Sequence, residues 1–528
     1  MKNFLLLLFF SILLSSCNKK KPINDIESQV SLSFLKTYKA KSFLDDQRLE
    51  KIKEVKSEIK SLFDTHFKDN NIPGISYGIV VDDSLIISSS VGVSNIHKNI
   101  EVSTNTSFRI ASMSKSFTAL AILMLRDEGK LSLKDPVVNY IPELKSLNYL
   151  TKDSPILNIE NLLTMTTGFP EDNPWGDRQL SMTKKDFVDF ISGGVSMSKT
   201  PSYQYEYSNT GYAMLGYVIG VVSGVSYQDY IKNKILIPLG MYDTHWEYST
   251  IEEEKLALGY RWEDENWRLE PMLHDGIYGA MGGLITTIKD FSKYVSFHLN
   301  AWPIRNDDNN GIVKRSTIRE MHVPKYNFLN SWKRDWDNKP CAGMIGYGYG
   351  LGISMDCKRI KKVAHGGALP GFGSDYAFFP EYGIGIMAFG NKTYTSPMPS
   401  DKLEKLLFET LDLQGRKLPP SEILIQRKEQ ITNLITTENV NLVSDIFAEN
   451  FFLDDTIEDR LMEIQRIRRV AGRVIKIHGI SAKNQLRGDF IIQCENGDIK
   501  VFFTLSPEKV PLVQKMNVSF NANKKVMN

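Results

Sequence analysis

The fold of this chain has to accommodate a run of nine uncharged, mostly apolar residues at positions 117–125, which predicts an apolar helix. Ser112 and Lys115 lie just before this run, three residues apart. Residues at that spacing share one face of a helix, so the amine of Lys115 can hydrogen-bond the hydroxyl of Ser112. The serine also lies near the positive end of the helix dipole, where a developing anion is stabilised.

The pair is chemically suggestive because a serine hydroxyl becomes a good nucleophile only when a neighbouring base takes its proton. A lysine held away from water can lose its proton near neutral pH and serve as that base. The spacing alone is weak, and the alternative is a helix N-terminal hydroxyl beside an exposed lysine. Other serines have a lysine three positions later, without an apolar run after it: Ser33, Ser57, Ser181, Ser196 and Ser506.

Chain length, net charge and histidine spacing indicate how many domains to expect and argue against nucleic-acid and metal binding. A chain of 528 residues predicts two or more domains, and 64 Lys plus Arg against 62 Asp plus Glu give no field that favours nucleic acid. The eight histidines are scattered and form no His-Glu-x-x-His pattern. We therefore predict no nucleic-acid partner, no metal and no cofactor.

The N-terminus reads as a targeting segment. A short positive start is followed by an apolar stretch at residues 4–14 that is too short to span a bilayer. It ends in Leu14-Ser15-Ser16-Cys17, which resembles a bacterial lipobox and implies cleavage before a lipidated Cys17. We predict a signal peptide at residues 1–16, a tether at 17–46, and an exported lipoprotein anchored on the periplasmic side of a membrane. The alternative is a plain secretory signal.

Local patterns place helices beside an antiparallel hairpin. Residues 47–70 have apolar side chains at helical spacing, and residues 75–81 and 85–91 read as two strands joined by a tight turn. These patterns predict an α+β fold. Three cysteines follow Cys17 in the sequence, at positions 341, 357 and 494. A bridge between Cys341 and Cys357 is compatible with the sequence but is not established by it.

A second group of polar residues is Tyr207-Ser208-Asn209, on a loop before an apolar helix at residues 212–222. The phenol can move a proton, and the amide can orient a substrate carbonyl or the lysine. The alternative is an N-capping loop in which Asn209 caps the helix.

A third group is His365-Gly366-Gly367-Ala368, followed by two apolar segments that read as adjacent strands. The glycines allow a strand backbone to lie against a bound substrate, and the N–H of Ala368 can join that of Ser112 as an oxyanion hole. The alternative is a core histidine whose hydrogen bonds are satisfied within the fold.

Taken together and in this order, the three groups resemble the penicillin-recognising serine hydrolases. The likeness is to the beta-lactamase-related branch of class C beta-lactamases, D-Ala-D-Ala carboxypeptidases, D-aminopeptidases and esterases. Residues 162–170 and 279–287 resemble two further family segments, and the likeness runs from about residue 49 to residue 413. It implies an antiparallel sheet flanked by helices, with a helical subdomain.

The resemblance also implies roles for individual residues. Ser112 is the nucleophile, Lys115 its activating partner and Tyr207 the acid that protonates the leaving group, with Asn209 positioning substrate and lysine. His365 occupies the place of a lysine in the family's Lys-Thr-Gly or Lys-Ser-Gly triplet, and neither triplet occurs in this chain. A largely neutral imidazole is a weaker carboxylate site than an ammonium, so we predict poor penicillin turnover.

The function implied is a serine hydrolase that forms an acyl-enzyme on an amide or ester, of the D-amino-acid peptidase, carboxypeptidase or esterase type. One alternative is a non-catalytic penicillin-binding or sensor-type protein using the same pocket, and another is a true beta-lactamase. Partners would be a small-molecule or peptide substrate and the membrane.

Outside the three groups, residues 306–340 are polar and aromatic without a clear period. We predict an insertion whose aromatic side chains border the cleft, and the equal alternative is a set of helix remnants that pack elsewhere. The hydrolase domain is predicted at residues 47–413, a linker at 414–420 and a small α+β accessory domain, similar to an NTF2-like cone, at 421–528. In that domain the patterns predict helices at 423–436 and 440–447, and strands at 473–480, 489–495 and 499–505.

Overall fold

The computed structural model describes residues 38–438 and 444–523. The predicted signal peptide, Cys17 and most of the predicted tether lie outside these residues, as does part of the predicted helix at 440–447. The chain divides into two compact units, of which one is Lys41–Lys417 and the other contains Leu418–Asn528. Within the described ranges no helix is long and apolar enough to cross a membrane.

The strands are antiparallel in every sheet, as the family resemblance implies for the larger unit. In chain order they are β1 Gly74–Val81, β2 Ser84–Asn95, β3 Ile100–Glu101, β4 Phe108–Arg109, β5 Tyr260–Glu263, β6 Asn266–Leu269, β7 Ile285–Thr286, β8 Tyr326–Asn330, β9 Gly343–Tyr347, β10 Gly352–Met355, β11 Lys361–Leu369, β12 Phe372–Phe379, β13 Ile384–Gly390, β14 Val474–Ile477, β15 Ser481–Asn484, β16 Arg487–Cys494, β17 Gly497–Leu505 and β18 Val513–Ala522.

The helices flank the sheets. They are α1 Arg48–Glu54, α2 Lys56–Asp69, α3 Lys115–Asp127, α4 Ile159–Leu163, α5 Asn173–Gly176, α6 Lys184–Ser192, α7 Asn209–Ser223, α8 Tyr227–Ile231, α9 Gly279–Gly282, α10 Ile288–Asn300, α11 Arg315–Met321, α12 Ser400–Lys405, α13 Glu422–Thr437, α14 Phe451–Asp454 and α15 Ile457–Ala471.

The larger unit is built on a nine-stranded sheet in the order β3-β2-β1-β13-β12-β11-β10-β9-β8. Every residue of β1 is buried, because both faces of the sheet are covered. Tyr77 and Ile79 pack with α2 on one face, whereas Val80 belongs to the core that contains α3 and α10 on the other. The α+β fold class with a helical subdomain is therefore confirmed.

The apolar run at residues 117–125 lies in α3, whose residues 115–125 are all buried. A 3₁₀ turn, Ala111–Ser114, leads directly into it and packs against β11 and β12. This arrangement brings the start of the helix to the sheet, so the two parts of the unit meet at Ser112.

Several local predictions needed correction. Residues 47–70 form two helices instead of one, because the helix is interrupted at Val55. The stretch 306–340 contains α11 and β8, so it is not an irregular insertion throughout. The bridge that the sequence left open is present and needed no correction: Cys341 and Cys357 form a disulfide, and Cys494 is free and buried.

The second unit combines helices with a five-stranded sheet in which β16 lies between β14 and β17. Its core comes from both, with Ile431 and Ile467 packing in the same cluster as Ile492 and Val501. The predicted strands correspond to β14, β16 and β17. We did not predict α15 and β18, whose patterns are more polar than those of their neighbours.

Candidate active site

Ser112 lies in the tight turn before α3 and is 8% exposed. The preceding residue, Ala111, has φ of +49°, a left-handed conformation that an L-residue adopts at a cost of roughly 1–3 kcal/mol. The hydroxyl of Ser114 stabilises the turn, because it donates to the carbonyl of Ala111 at 2.7 Å and accepts from the N–H of Leu284 at 3.1 Å. The serine is thus held in a strained, well-braced turn.

The amine of Lys115 is completely buried and has three oxygen neighbours. Its Nζ lies 2.9 Å from Oγ of Ser112, 2.7 Å from Oδ1 of Asn209 and 2.8 Å from the carbonyl oxygen of Met281. The Asn209 and Met281 oxygens can only accept hydrogen bonds, whereas the serine hydroxyl can also donate. A neutral amine has two N–H groups for these two oxygens, and its lone pair then faces Ser112.

The electrostatic surroundings favour that neutral form. Burial lowers the pKa of Lys115 to about 7, and the charges of Asp177 and Asp172 oppose the shift. The proton acceptor that Ser112 needs is therefore available near neutral pH, at hydrogen-bonding distance.

Asn209 acts on Lys115 and does not cap its helix. The cap of α7 is Ser208, whose side chain accepts from the N–H of Gly211, so the capping alternative for Asn209 is wrong. Nδ2 of Asn209 donates to Oδ1 of Asn173 at 3.1 Å, and this bond turns the amide oxygen toward Lys115. Asp172 fixes the start of the same helix by accepting from the N–H of Asn209 at 2.6 Å.

The phenol of Tyr207 completes the surroundings of the serine. Its ring centroid lies 4.8 Å from Nζ of Lys115, and its hydroxyl hydrogen-bonds Ser112. Burial holds the pKa of Tyr207 well above its ordinary value, although the Ser112 hydrogen bond opposes this. A phenol in this environment keeps its proton at physiological pH, so it is suited to donate that proton.

His365 lies on β11 and is neutral. Its Nδ1 is 2.6 Å from the carbonyl oxygen of Gly366, so Nδ1 carries the hydrogen and Nε2 accepts from the hydroxyl of Tyr347 at 3.1 Å. Burial, with Lys115 nearby, lowers the pKa of His365 to about 4. The histidine therefore has satisfied hydrogen bonds, as the structural alternative predicted, and also faces the cavity beside Tyr207.

Gly367 lies where β11 meets the turn that carries Ser112. A Cβ at this position would lie 2.3 Å from the carbonyl oxygen of Ile110 and 2.4 Å from Oγ of Ser374. The missing side chain therefore lets β11 lie against the turn that carries Ser112, and Gly367 itself also lines the cavity beside that turn. Gly366 does face the cavity, as does Ala368.

The predicted site residues meet at two adjoining cavities. One, which we call the nucleophile cavity, measures about 550 Å³ and is lined by Ser112, Asn173, Pro174, Asp177, Tyr207, His365, Gly366, Gly367, Ala368, Asp375, Tyr394, Thr395 and Ser396. The other, the aromatic cavity, measures about 350 Å³ and is lined by Tyr205, Tyr207, Tyr326, Phe328, Ile345, Gly346, Tyr347, Gly352, Ala364, His365 and Gly366. Tyr207, His365 and Gly366 line both.

Two aromatic residues of the stretch 306–340, Tyr326 and Phe328, border the aromatic cavity as predicted. Trp332 is 89% exposed, and Trp336 packs against Phe408 in the core instead. The sequence analysis missed Tyr347, Asp177 and Asp375. Nothing in the sequence separates the two aspartates from the other acidic residues, because only folding brings them to the cavity. In residues 38–438 and 444–523, no cluster of His, Cys, Asp and Glu side chains could hold a metal ion.

Comparison with known proteins identifies relatives of the chain. The family model described as Beta-lactamase matches residues 59–409. Protein flp of Staphylococcus aureus (strain NCTC 8325 / PS 47) is 26% identical over 424 residues, which are 78% of each chain. Beta-lactamase-like protein 2 of Dictyostelium discoideum is 30% identical over 332 residues, covering 61% of this chain and 55% of that protein.

Solved structures show the same fold. The octameric penicillin-binding protein homologue from Pyrococcus abyssi superposes with a TM-score of 0.54 and 22% identity, covering 88% of this chain and 98% of that one. A penicillin-binding protein from Bacillus halodurans gives a TM-score of 0.50 and 23% identity, covering 65% and 98%. At these identities the likeness concerns the fold alone.

Proposed function

Since the chain belongs to the beta-lactamase family, whose fold is typically that of a serine acyl-enzyme hydrolase, we propose that it cleaves an amide or ester through an acyl-enzyme on Ser112. The observation that carries the proposal is the buried amine of Lys115, 2.9 Å from the Ser112 hydroxyl with two further oxygens to hold its N–H groups.

In the acylation step, the neutral amine of Lys115 takes the hydroxyl proton while Oγ of Ser112 bonds to the substrate carbonyl carbon. The oxyanion that forms is stabilised by the backbone N–H groups of Ser112 and Ala368. Lys115 is the better base of the two candidates, because burial lowers its pKa but raises that of Tyr207.

The tetrahedral intermediate collapses when the bond to the leaving group breaks. Tyr207 donates its phenolic proton to the departing nitrogen or oxygen, and the proton held by Lys115 restores the phenol. A water molecule then attacks the ester carbonyl, and the same groups act in reverse to release the acid and regenerate Ser112.

The substrate type follows from the third group of residues. The neutral His365 stands where relatives with a Lys-Thr-Gly triplet carry an ammonium, so the site offers no fixed positive charge to a substrate carboxylate there. We therefore favour a D-amino-acid peptidase, a carboxypeptidase acting on weakly anionic peptides, or an esterase. Penicillin should be a poor substrate.

A panel of substrates tests this function: D-amino-acid amides, D-Ala-D-Ala peptides, nitrocefin and short-chain p-nitrophenyl esters. The matched variants are Ser112→Ala and Ser181→Ala, because Ser181 also has a lysine three residues later but is exposed. We expect Ser112→Ala to abolish turnover and fluorophosphonate labelling, and Ser181→Ala to change neither. Full activity in Ser112→Ala would refute the catalytic assignment.

The same panel separates the alternatives. Labelling of Ser112 by a penicillin without turnover of any substrate would favour a penicillin-binding or sensor-type protein. Hydrolysis of nitrocefin as the best substrate would identify a true beta-lactamase and contradict our view of His365.

We propose separately that the protein is an exported lipoprotein held at a membrane through Cys17, on the grounds of the lipobox-like Leu14-Ser15-Ser16-Cys17. Metabolic labelling with radioactive palmitate should mark the wild-type chain and not Cys17→Ser. Equal labelling of the two would exclude this anchor. The small C-terminal unit is proposed as a structural accessory domain.

A further inference from the structure

Two carboxyl groups, those of Asp177 and Asp375, line the nucleophile cavity together with Ser112. Asp177 follows α5 and is 3% exposed, and Asp375 lies on β12 beside Gly366 of β11. We propose that these two carboxylates select substrates that carry a positively charged amino group next to the scissile amide or ester. The inference rests on the proposed hydrolase function and adds the charge of its substrate.

The same short segment holds both carboxyl groups in place. The phenol of Tyr394 donates a hydrogen bond to Asp177, and the hydroxyl of Ser396 donates to Oδ2 of Asp375 at 2.7 Å. Residues 394–396 also line the cavity, so the two carboxyl groups and their hydroxyl partners form one wall of it. This wall is polar, acceptor-rich and open to whatever occupies the cavity.

Neither carboxyl group has an ion-pair partner among the described residues. The cations that act on them electrostatically are engaged elsewhere, since Arg178 pairs with Glu270 and Lys362 pairs with Glu404. Lys115 also acts on Asp177, but its hydrogen bonds go to neutral oxygens. A substrate ammonium would supply the missing positive charge.

The titration behaviour of the wall agrees with this. Burial raises the pKa of Asp177, opposed by Lys115, by the Tyr394 hydrogen bond and by Arg178, whereas the nearby charge of Asp172 adds to the rise. Burial also raises the pKa of Asp375 to about 6, opposed by Ser396, the backbone of Met398 and Lys362. Burying a carboxylate without a counter-charge is costly, and a bound cation removes that cost.

A cationic substrate would also favour the neutral, reactive form of Lys115. An ionised Asp177 raises the pKa of Lys115 and so favours the unreactive ammonium. A substrate ammonium beside Asp177 offsets that charge, and the amine of Lys115 then stays neutral in the complex. A substrate carboxylate at the same wall would be repelled by both aspartates.

Two matched sets of substrates test the charge preference on the full-length protein near neutral pH. For a charge on the acyl side, the set is D-alanine p-nitroanilide with a free, an acetylated or a succinylated amino group. For a charge on the leaving group, the pair is acetylcholine and its uncharged carbon isostere, 3,3-dimethylbutyl acetate. We expect kcat/KM to favour the cationic member of at least one set by about tenfold or more, with the succinylated compound the poorest.

The variants Asp177→Asn and Asp375→Asn should reduce this preference severalfold, because the cationic substrate loses more than its neutral partner. The control is Asp264→Asn, which removes a carboxylate whose side chain is 82% exposed and lies outside the cavity, and which should keep the wild-type ratio. The ratio of kcat/KM for the cationic substrate to that for the neutral one separates charge recognition from general damage to the fold. The Asp375 variant keeps the test usable if the variant of the more buried Asp177 misfolds.

The inference is overturned if wild-type protein shows no preference for the cation in either set, or if the preference persists in both cavity variants. Fluorophosphonate labelling of Ser112 is followed in parallel. If wild-type protein is labelled but shows no charge preference, only the proposed preference for cationic substrates is rejected. If wild-type protein is not labelled at all, the hydrolase function itself is rejected.

Discussion

Replacing Asn209 by aspartate tests the role of Lys115 through its proton. The amide Oδ1 is 2.7 Å from Nζ, so the nearly isosteric carboxylate places a negative charge at the same point. An opposite charge this close typically stabilises the charged form by about one to three pKa units, each worth about 1.36 kcal/mol. The pKa of Lys115, which burial lowers to about 7, should therefore rise to roughly 8–10.

The sign of the effect on rate follows from which form reacts. Only the neutral amine accepts the Ser112 proton, so acylation is slow below the pKa of Lys115 and rises as pH increases through it. In wild-type protein the rise should be centred near pH 7. In Asn209→Asp it should move upward, which makes acylation at pH 7 about 5 to 500 times slower and restores much of it in alkaline solution.

The assay is the rate of the acylation burst with a p-nitrophenyl ester, measured by stopped flow across the pH range in which the protein stays folded. Asn173→Asp is the matched control, because Asn173 lines the same cavity and contacts Asn209 but makes no hydrogen bond to Nζ. It should shift the profile less. A profile for Asn209→Asp that is lowered equally at every pH, with its midpoint unmoved, would show that Lys115 is not the titrating base.

Three further changes probe other parts of the site. In Tyr207→Phe, kcat/KM for amides should fall about 10²- to 10⁴-fold but much less for p-nitrophenyl esters, whose leaving group needs no proton; equal losses would contradict the acid role. Gly367→Ala should lower the free energy of unfolding, measured in urea, by about 1–3 kcal/mol, because its Cβ would meet the Ile110 carbonyl oxygen at 2.3 Å. An unchanged midpoint of urea unfolding would argue against that contact. Ser208→Ala removes the hydrogen bond to the N–H of Gly211 and should cost about 1 kcal/mol in the same assay, whereas no cost would mean that the cap is dispensable.

Those parts of the site that depend on local spacing were predictable from sequence. Ser112 and Lys115 had to share a helix face, and Tyr207 and Asn209 had to lie on one loop, so their meeting required only that three segments converge. The family resemblance supplied that convergence. It did not supply the reason for Gly367, which depends on how closely the Ile110 carbonyl approaches.

The remaining features depend on contacts between distant segments. Asp177 lines the cavity beside a tyrosine more than two hundred positions later in the chain, and no periodicity records that pairing. The same holds for the disulfide between Cys341 and Cys357, which the sequence left open. In α15 and β18, many polar residues weakened the apolar periodicity from which helices and strands are recognised in a sequence.

The segment 394–396 touches both cavity aspartates but makes no hydrogen bond to Ser112 or Lys115 in the described structure. The groups that we propose break the bond and the segment that holds the proposed substrate-selecting carboxyl groups therefore belong to separate pieces of chain. In a family built this way, changes in one short connecting segment can alter substrate specificity while the reaction stays the same. Relatives with identical chemistry and different substrates are what such a division of labour should produce.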